Sequence, residues 1–196
     1  MIRYKLAKAL ISFSTRAIIG TGYYGFGIKF VAGSLAWLPH AFVIPTLLRH
    51  GASIGTNLIH KDGWLVDNAD RDFSNLHIGN NCYIGKSVFF DLPKQVILED
   101  EVVISARVML ITHADTGNRV MSSWYPRIEG PIRIGRGSWI GAGAIILPGV
   151  ELGECCVVGA GSVVNKSWPA RSVIAGVPAR LLKTLPNNPA ETIINN

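Results

Sequence analysis

The sequence predicts an all-β fold, a solenoid wound as a parallel β-helix. Three observations carry this: a strict six-residue repeat, a small residue at one fixed place in the repeat, and glycine in excess over charge. From Ile134 to Pro169 the chain divides into IGRGSW, IGAGAI, ILPGVE, LGECCV, VGAGSV and VNKSWP, each block opened by an aliphatic residue. The fifth place holds Ser138, Ala144, Val150, Cys156, Ser162 and Trp168, small in all but the last. Neither the 3.6 period of a helix nor the 2.0 period of a long strand yields a strict six. The repeat is therefore the structural unit, stacked because no single block can bury its own apolar face. Three blocks make one triangular coil of about 18 residues, with successive coils about 4.8 Å apart. Gly141 is thereby placed over Gly159, Ala142 over Ala160 and Ser138 over Cys156. Glycine numbers 21 of 196 residues against 16% charged residues, which suits many corners around an apolar interior.

Residues 1–47 are a different kind of sequence. MIRYKLAKALISFSTR sets Arg3, Lys5, Lys8 and Arg16 among apolar residues at helical spacing, as in an amphipathic helix. Phe30 to Leu48 then carries no formal charge and is long enough to cross a bilayer, although Gly33, Pro39 and Pro45 interrupt it. Three readings stand: an apolar cap on the first coil or a neighbouring subunit, an anchor lying on a membrane surface, and a span.

From Leu48 the six-residue frame runs through LRHGAS, IGTNLI and HKDGWL, and breaks over a polar corner loop at 66–77. It resumes at Ile78, shifts by the two residues Val96 and Ile97, and continues to LITHAD. Residues 116–127 then leave the solenoid, since they lack aliphatic openings and are rich in Gly, Ser, Asn and aromatic residues. The frame returns at Ile128. The solenoid is expected over 48–176, with 177–196 forming a cap, a short helix begun by ARLLK, and a tail after Pro186.

Cys82 and Cys156 occupy the small fifth place, Cys155 faces outward, and no spacing suggests a metal site. Three cysteines without a cleavable leader point to a reducing cytoplasm. The net charge of +6 and pI near 9.4 point to an anionic partner. Basic residues are not interleaved with aromatics, so nucleic acid is not expected.

The hexads, PIRIGRGSWIGAGAIILPGV, GAGSVVNKSWP and the ending IAGVPARLLK together resemble the left-handed β-helix O-acyltransferases. The similarity is to the sugar and antibiotic acetyltransferase branch, with its maltose, galactoside, colanic-acid and nodulation acetyltransferases, and it covers about Leu48 to Lys183. The resemblance implies a left-handed coil, a homotrimer with sites between prisms, and acetyl-coenzyme A as donor to a sugar or saccharide hydroxyl, with surface polysaccharide synthesis as one setting. It also implies a general-base histidine at the mouth of the excursion, and His113 stands there. Neutral imidazole has the right pKa to remove a hydroxyl proton near pH 7. His113 lies fourth in its hexad and not late in it, and Arg107 stands where the family often has Asn.

Asp115 or Asp91 could orient the imidazole. The resemblance lays the coenzyme along Gly141, Ala142, Gly159 and Ala160, where small side chains leave clearance. Lys166, Arg180 and Lys183, with Arg171, gather near the last coil for its phosphates. Arg107, Trp124 and Tyr125 are candidates for the acceptor, with Arg127 and the corner-loop residues Asp62, Trp64, Asp67, Asp70 and Asp72 as alternatives. Two other classes share this kind of repeat. A non-catalytic hexapeptide scaffold would lack the intact loop, histidine and basic end. A γ-carbonic-anhydrase-like metalloenzyme needs three converging histidines, and residues 40, 50, 60, 77 and 113 are too scattered. The expected location is the cytoplasm, with contact to the inner face of the cell membrane through residues 1–47 left open.

Overall fold

Three helices lead into a stack of very short strands that turn a corner every few residues. The structure, a computed structural model, describes residues 2–187, with side chains of the first helix described from Phe13 onward. The side chains of Arg3, Lys5 and Lys8 and the tail beyond 187 lie outside the described residues.

The solenoid has three faces and about six turns. The first face stacks β1 (Ser53–Ile54), β4 (Leu76–Ile78), β7 (Val96–Leu98), β12 (Ile132–Ile134) and β15 (Glu151–Leu152). The second stacks β2 (Ile59–His60), β5 (Tyr83–Ile84), β8 (Val103–Ile104), β13 (Trp139–Ile140), β16 (Val157–Val158) and β18 (Ser172–Gly176), closed by β19 (Ala179–Thr184). The third stacks β3 (Leu65–Asp67), β6 (Phe89–Asp91), β9 (Met109–Leu110), β14 (Ile145–Ile146) and β17 (Val163–Val164). Pairing along each face is parallel, and in the late coils the partners are 18 apart: Trp139 with Val157, Ile140 with Val158, Ile146 with Val164. The block-opening residues Ile134, Ile140, Ile146, Leu152, Val158 and Val164 are all buried in the prism. Small residues of the fifth place, Ser138, Ala144, Cys156 and Ser162, fill the space between them.

Two kinds of corner residue make this stack possible. At the fourth place of a block the backbone turns through the left-handed region, as at Gly137, Gly143 and Gly161, and also at Asn57, Asn81 and Cys155. At the second place the coils approach so closely that a Cβ on Gly141 would lie 2.6 Å from the Ala160 nitrogen and 2.7 Å from the Val158 oxygen.

The N-terminal segment is helical: α1 (Ile2–Phe26), α2 (Ile28–Ser34) and α3 (His40–Arg49). Val31, Leu35, Leu38, Val43 and Leu47 are buried and continuous with the solenoid core. Each fully buried aliphatic side chain contributes about 1.5–3 kcal/mol, so residues 28–49 cap the first coil. The span expected as one reading of Phe30 to Leu48 is thus corrected: the stretch is broken between two helices, and Val31, Leu35, Leu38, Val43 and Leu47 go to the protein's own core. Among the described residues no helix is long and apolar enough to cross a membrane.

Three further expectations change. Residues 179–184 form a strand, not a closing helix: β19 pairs antiparallel with β18 from Ser172↔Thr184 to Gly176↔Ala179. A helix there would leave the outer backbone groups of β18 unpaired, whereas β19 satisfies them and covers the open edge. The corner loop is shorter than 66–77, because Leu65–Asp67 and Leu76–Ile78 are strands. The loop is also pinned, with Phe73 fully buried and its nitrogen donating to the His50 carbonyl at 2.7 Å. Trp64 is fully buried with its ring 5.2 Å from Phe90, so it belongs to the core and is not available to an acceptor.

Candidate active site

The chain leaves the solenoid after β9, at the corner between the third and first faces. There Thr112 is buried and β10 (His113–Ala114) pairs antiparallel with β11 (Ile128–Glu129). The pairing ties both ends of the excursion, so His113 is held on backbone and not on a free loop.

Beneath His113 lies Asp91, the last residue of β6 and only 1% exposed. Burying a carboxylate is costly unless its oxygens find donors, and here they do. Oδ2 accepts from the Thr112 nitrogen at 2.9 Å, the His113 nitrogen at 3.0 Å and His113 Nδ1 at 2.6 Å, while Oδ1 accepts from Asn68 Nδ2 at 2.8 Å. An ionised carboxylate can only accept, so the hydrogen of the neutral imidazole resides on Nδ1. Nε2 is left with a free lone pair and has no partner among the described residues. Of the two carboxylates offered by the sequence, Asp91 therefore meets the ring. Asp115 turns away, accepting from the Gly117 nitrogen at 2.9 Å and from Arg127 Nη1.

Asp115 belongs to a chain of charges that closes the base of the excursion. Arg127 bridges Asp115 and Glu129, and Lys94 Nζ reaches Glu129 at 2.8 Å. Glu129 is held down to about 2, by Lys94 first and then Arg127, and Asp115 is lowered by Arg127 and the Gly117 amide. Trp124 and Tyr125 follow the short 3-10 turn Val120–Ser123, 68% and 65% exposed, on the same excursion as His113 but in no described contact with it.

A second feature lies at the adjacent corner, between the second and third faces. Ala142, Gly143, Ala106 and Arg107 line a cavity of about 510 Å³ with Lys86 and Ser87. Ala160 stands one coil above, where Gly161 donates to the Ala142 carbonyl at 2.9 Å. Ala142 and Ala160 are exposed, whereas Gly141 is buried against the next coil and a Cβ on Gly159 would meet Ala175 Cβ at 2.7 Å. The alanines thus form the open wall, and the two glycines are required by packing. Arg180 pairs with Ala175 at the same corner, one coil higher. Lys183 pairs with Val173 toward the far side of the second face. Lys166 lies after β17 at another corner, 4.5 Å over the Trp168 ring, and does not join the groove. Arg107 does join it, standing beside Ala142 and not beside His113. Lys86 and Asn68 escaped the sequence reading; Lys86 shows only as the residue one coil below Arg107, whose nitrogen donates to its carbonyl at 2.8 Å.

Among the described residues no group of three His, Cys, Asp or Glu side chains is placed to hold a metal ion.

Stacked six-residue blocks, a His–Asp pair at the mouth of an excursion and a groove walled by small residues define a β-solenoid of hexapeptide repeats with a candidate site at its corners. Residues 131–166 match the bacterial transferase hexapeptide (six repeats), and residues 76–110 the hexapeptide repeat of succinyl-transferase. The chain resembles galactoside O-acetyltransferase in sequence and fold, and it shares the fold of a maltose O-acetyltransferase from Clostridium difficile 630 with a TM-score of 0.70 at 24% identity, over 81% and 84% of the chains. It is 35% identical over 112 residues to the galactoside O-acetyltransferase of Escherichia coli (strain K12), covering 57% of this chain and 55% of that protein. A solved galactoside acetyltransferase in complex with coenzyme A superposes with a TM-score of 0.69 at 27% identity, over 80% of this chain and 78% of that one. A hexapeptide-repeat acetyltransferase of Vibrio cholerae O1 biovar eltor, complexed with acetyl-coenzyme A, shares the fold with a TM-score of 0.68 at 23% identity, over 79% and 82% of the chains. The chain spans 55% and 63% of the lengths of the first curated relatives it matches.

Proposed function

We propose that the protein is an acetyl-coenzyme A-dependent O-acetyltransferase acting on a sugar or saccharide hydroxyl. The observation that carries this reading is the buried Asp91 carboxylate gripping His113 Nδ1 at 2.6 Å, which leaves Nε2 free to accept a proton. Nε2 takes the hydroxyl proton as the acceptor oxygen attacks the thioester carbonyl. Collapse of the tetrahedral species breaks the C–S bond, and the imidazolium returns the proton to the departing thiolate. Asp91 does not take the proton; buried beneath the ring, it fixes the imidazole and steadies the imidazolium.

Acetyl-coenzyme A enters as the donor substrate. Ala106, Ala142 and Ala160 offer a pantetheine arm a wall with no side chain larger than methyl, and Lys86, Arg107 and Arg180 supply cations for the phosphates. This groove and His113 stand at neighbouring corners, separated by the width of the third face. A single chain thus presents a base on one edge and a donor groove on the next. A homotrimer that turns the His113 edge of one copy toward the groove of another assembles the site, with Trp124 and Tyr125 beside the acceptor.

The test is acetyl transfer followed by free thiol release across a panel of sugars. His113→Ala should lower kcat by about 100- to 10,000-fold while coenzyme binding stays intact. Transfer persisting within a few-fold would remove His113 from the mechanism. Failure of the native protein to bind coenzyme A would favour a non-catalytic scaffold.

A further inference from the structure

The net positive charge of this protein comes from the residues before Asp62 and not from the coils that carry the coenzyme groove. Seven of its 19 Lys and Arg residues and none of its 13 Asp and Glu residues lie before Asp62, so residues 62–196 together carry a charge of −1. The whole excess belongs to the helical segment and the first coil. In α1, positions 13, 16, 20 and 24 fall on one stripe. That stripe reads Phe13, Arg16, Gly20, Tyr24, with Phe13 76% and Tyr24 90% exposed. Arg16, Gly20 and Tyr24 form one wall of a groove of about 420 Å³, and Phe42, Pro45 and Arg49 of α3 form the other. His50 closes it, with its ring 4.7 Å from that of Tyr23. Arg16 and Arg49 are exposed and form no ion pair with any carboxylate among the described residues.

We propose that this face docks on an anionic lipid bilayer, with Arg16 and Arg49 holding lipid headgroup phosphate across the groove and Phe13 and Tyr24 lying at headgroup depth. Charge decides the occupant. Guanidinium forks match phosphate oxygens, and aromatic residues favour the membrane interface. A second copy docking through the same face would bring like charges together, with no acidic residue before Asp62 to pair them. The α3 wall of the groove packs on the first coil and α1 packs on α2, so docking would bring the solenoid itself to the surface. The inference goes beyond the proposed acetyl transfer and does not depend on it.

The experiment is flotation of the full chain with vesicles of phosphatidylcholine alone and of phosphatidylcholine with phosphatidylglycerol. Binding should require phosphatidylglycerol and weaken with added salt. Arg16→Ala and Arg49→Ala should each weaken it about 5-fold, and together about 30-fold, since each basic side chain near such a surface adds about one kcal/mol. Arg71→Ala, on the corner loop, should bind as the native protein does. Circular dichroism melts establish that the variants are folded, and Arg16→Lys with Arg49→Lys should bind better than the alanine pair. Equal binding to both vesicles, equal loss from Arg71→Ala, or no binding with self-association through α1 would each overturn the proposal. His113→Ala should float with the vesicles like the native protein, so a failure here and a failure of the proposed chemistry are separable.

Discussion

Asp91 is 1% exposed and accepts four hydrogen bonds of 3.0 Å or less, three of them from the two residues that open the excursion. The fourth comes from Asn68, which sits in the left-handed region at φ 56°. Asn tolerates that conformation, and Gly tolerates it better. Asn68→Gly therefore removes the bond to Oδ1 without straining the backbone, and under the proposed function it tests Asn68 as a positioning residue. One hydrogen bond to a carboxylate is worth about 1.5 kcal/mol, so kcat should fall roughly 10-fold. The Kd for coenzyme A should stay near the native value, while the melting temperature falls by roughly 3–6 °C. A loss of stability with unchanged kcat would make Asn68 merely structural. The sequence could not choose between Asp115 and Asp91 because distance along the chain misleads: Asp115 is two residues from His113 and Asp91 is 22 away. Strand register decides, since Phe89 pairs with Met109 and Phe90 with Leu110, which brings Asp91 under the 111–113 backbone.

At the level of the element, the coil is the unit, and its tightest point is the second place of each block. A methyl group on Gly141 would meet backbone atoms of the next coil, which cannot turn aside as a flexible side chain could. Gly141→Ala should cost about 1–3 kcal/mol, as overpacking of a filled interior does. For a chain of this length each kcal/mol lowers the melting temperature by roughly 2–4 °C, so a melt is the measurement. Ala142→Gly, one residue on and exposed, should leave the melt nearly unchanged.

The excursion is an element of another kind, tied by charge. Glu129 ordinarily titrates near 4.5 and is held down to about 2, so its contribution is complete above its ordinary value and is lost as pH falls toward 2. Amide exchange over residues 116–127 should therefore be insensitive to this tether from pH 5 to 8. It should rise as pH drops below about 4.5, after correction for intrinsic exchange, and Arg127→Ala should raise it at neutral pH.

These contrasts show why some elements could be read from the chain and others could not. The six-residue period reports side chains that alternate in and out of a prism, so Ile140, Ile146 and Val158 announced the core directly. The ending ARLLK has no such period, and its fate depended on an edge strand needing a partner, which is a tertiary demand. Phe30 to Leu48 looks like a span by composition, yet composition does not tell a bilayer from the open end of a solenoid. The place of Arg107 in its hexad points to the acceptor. The fold places it at the groove corner, because consecutive blocks face different sides of the prism.

At the level of the whole molecule, the proposed function puts its two halves, base and donor groove, on two edges of one prism. His113 ends a corner of the third coil, and Ala142 and Ala160 wall the neighbouring corner of the fourth and fifth. Were each chain self-sufficient, crippling both halves in separate chains could never restore activity. If sites form between copies, it can. His113→Ala chains keep an open groove, and Ala160→Trp chains keep the base but block the groove with an exposed side chain that does not enter the core. Each homogeneous preparation should be nearly inactive. Co-expressed in equal amounts, the two variants assemble mixed rings in which about a quarter of the interfaces pair an intact base with an intact groove. Acetyl transfer should then return to about a quarter of the native rate per site. Native-like sedimentation of the mixture, with no activity regained, would place base and donor groove in the same chain and dissolve the two-copy site.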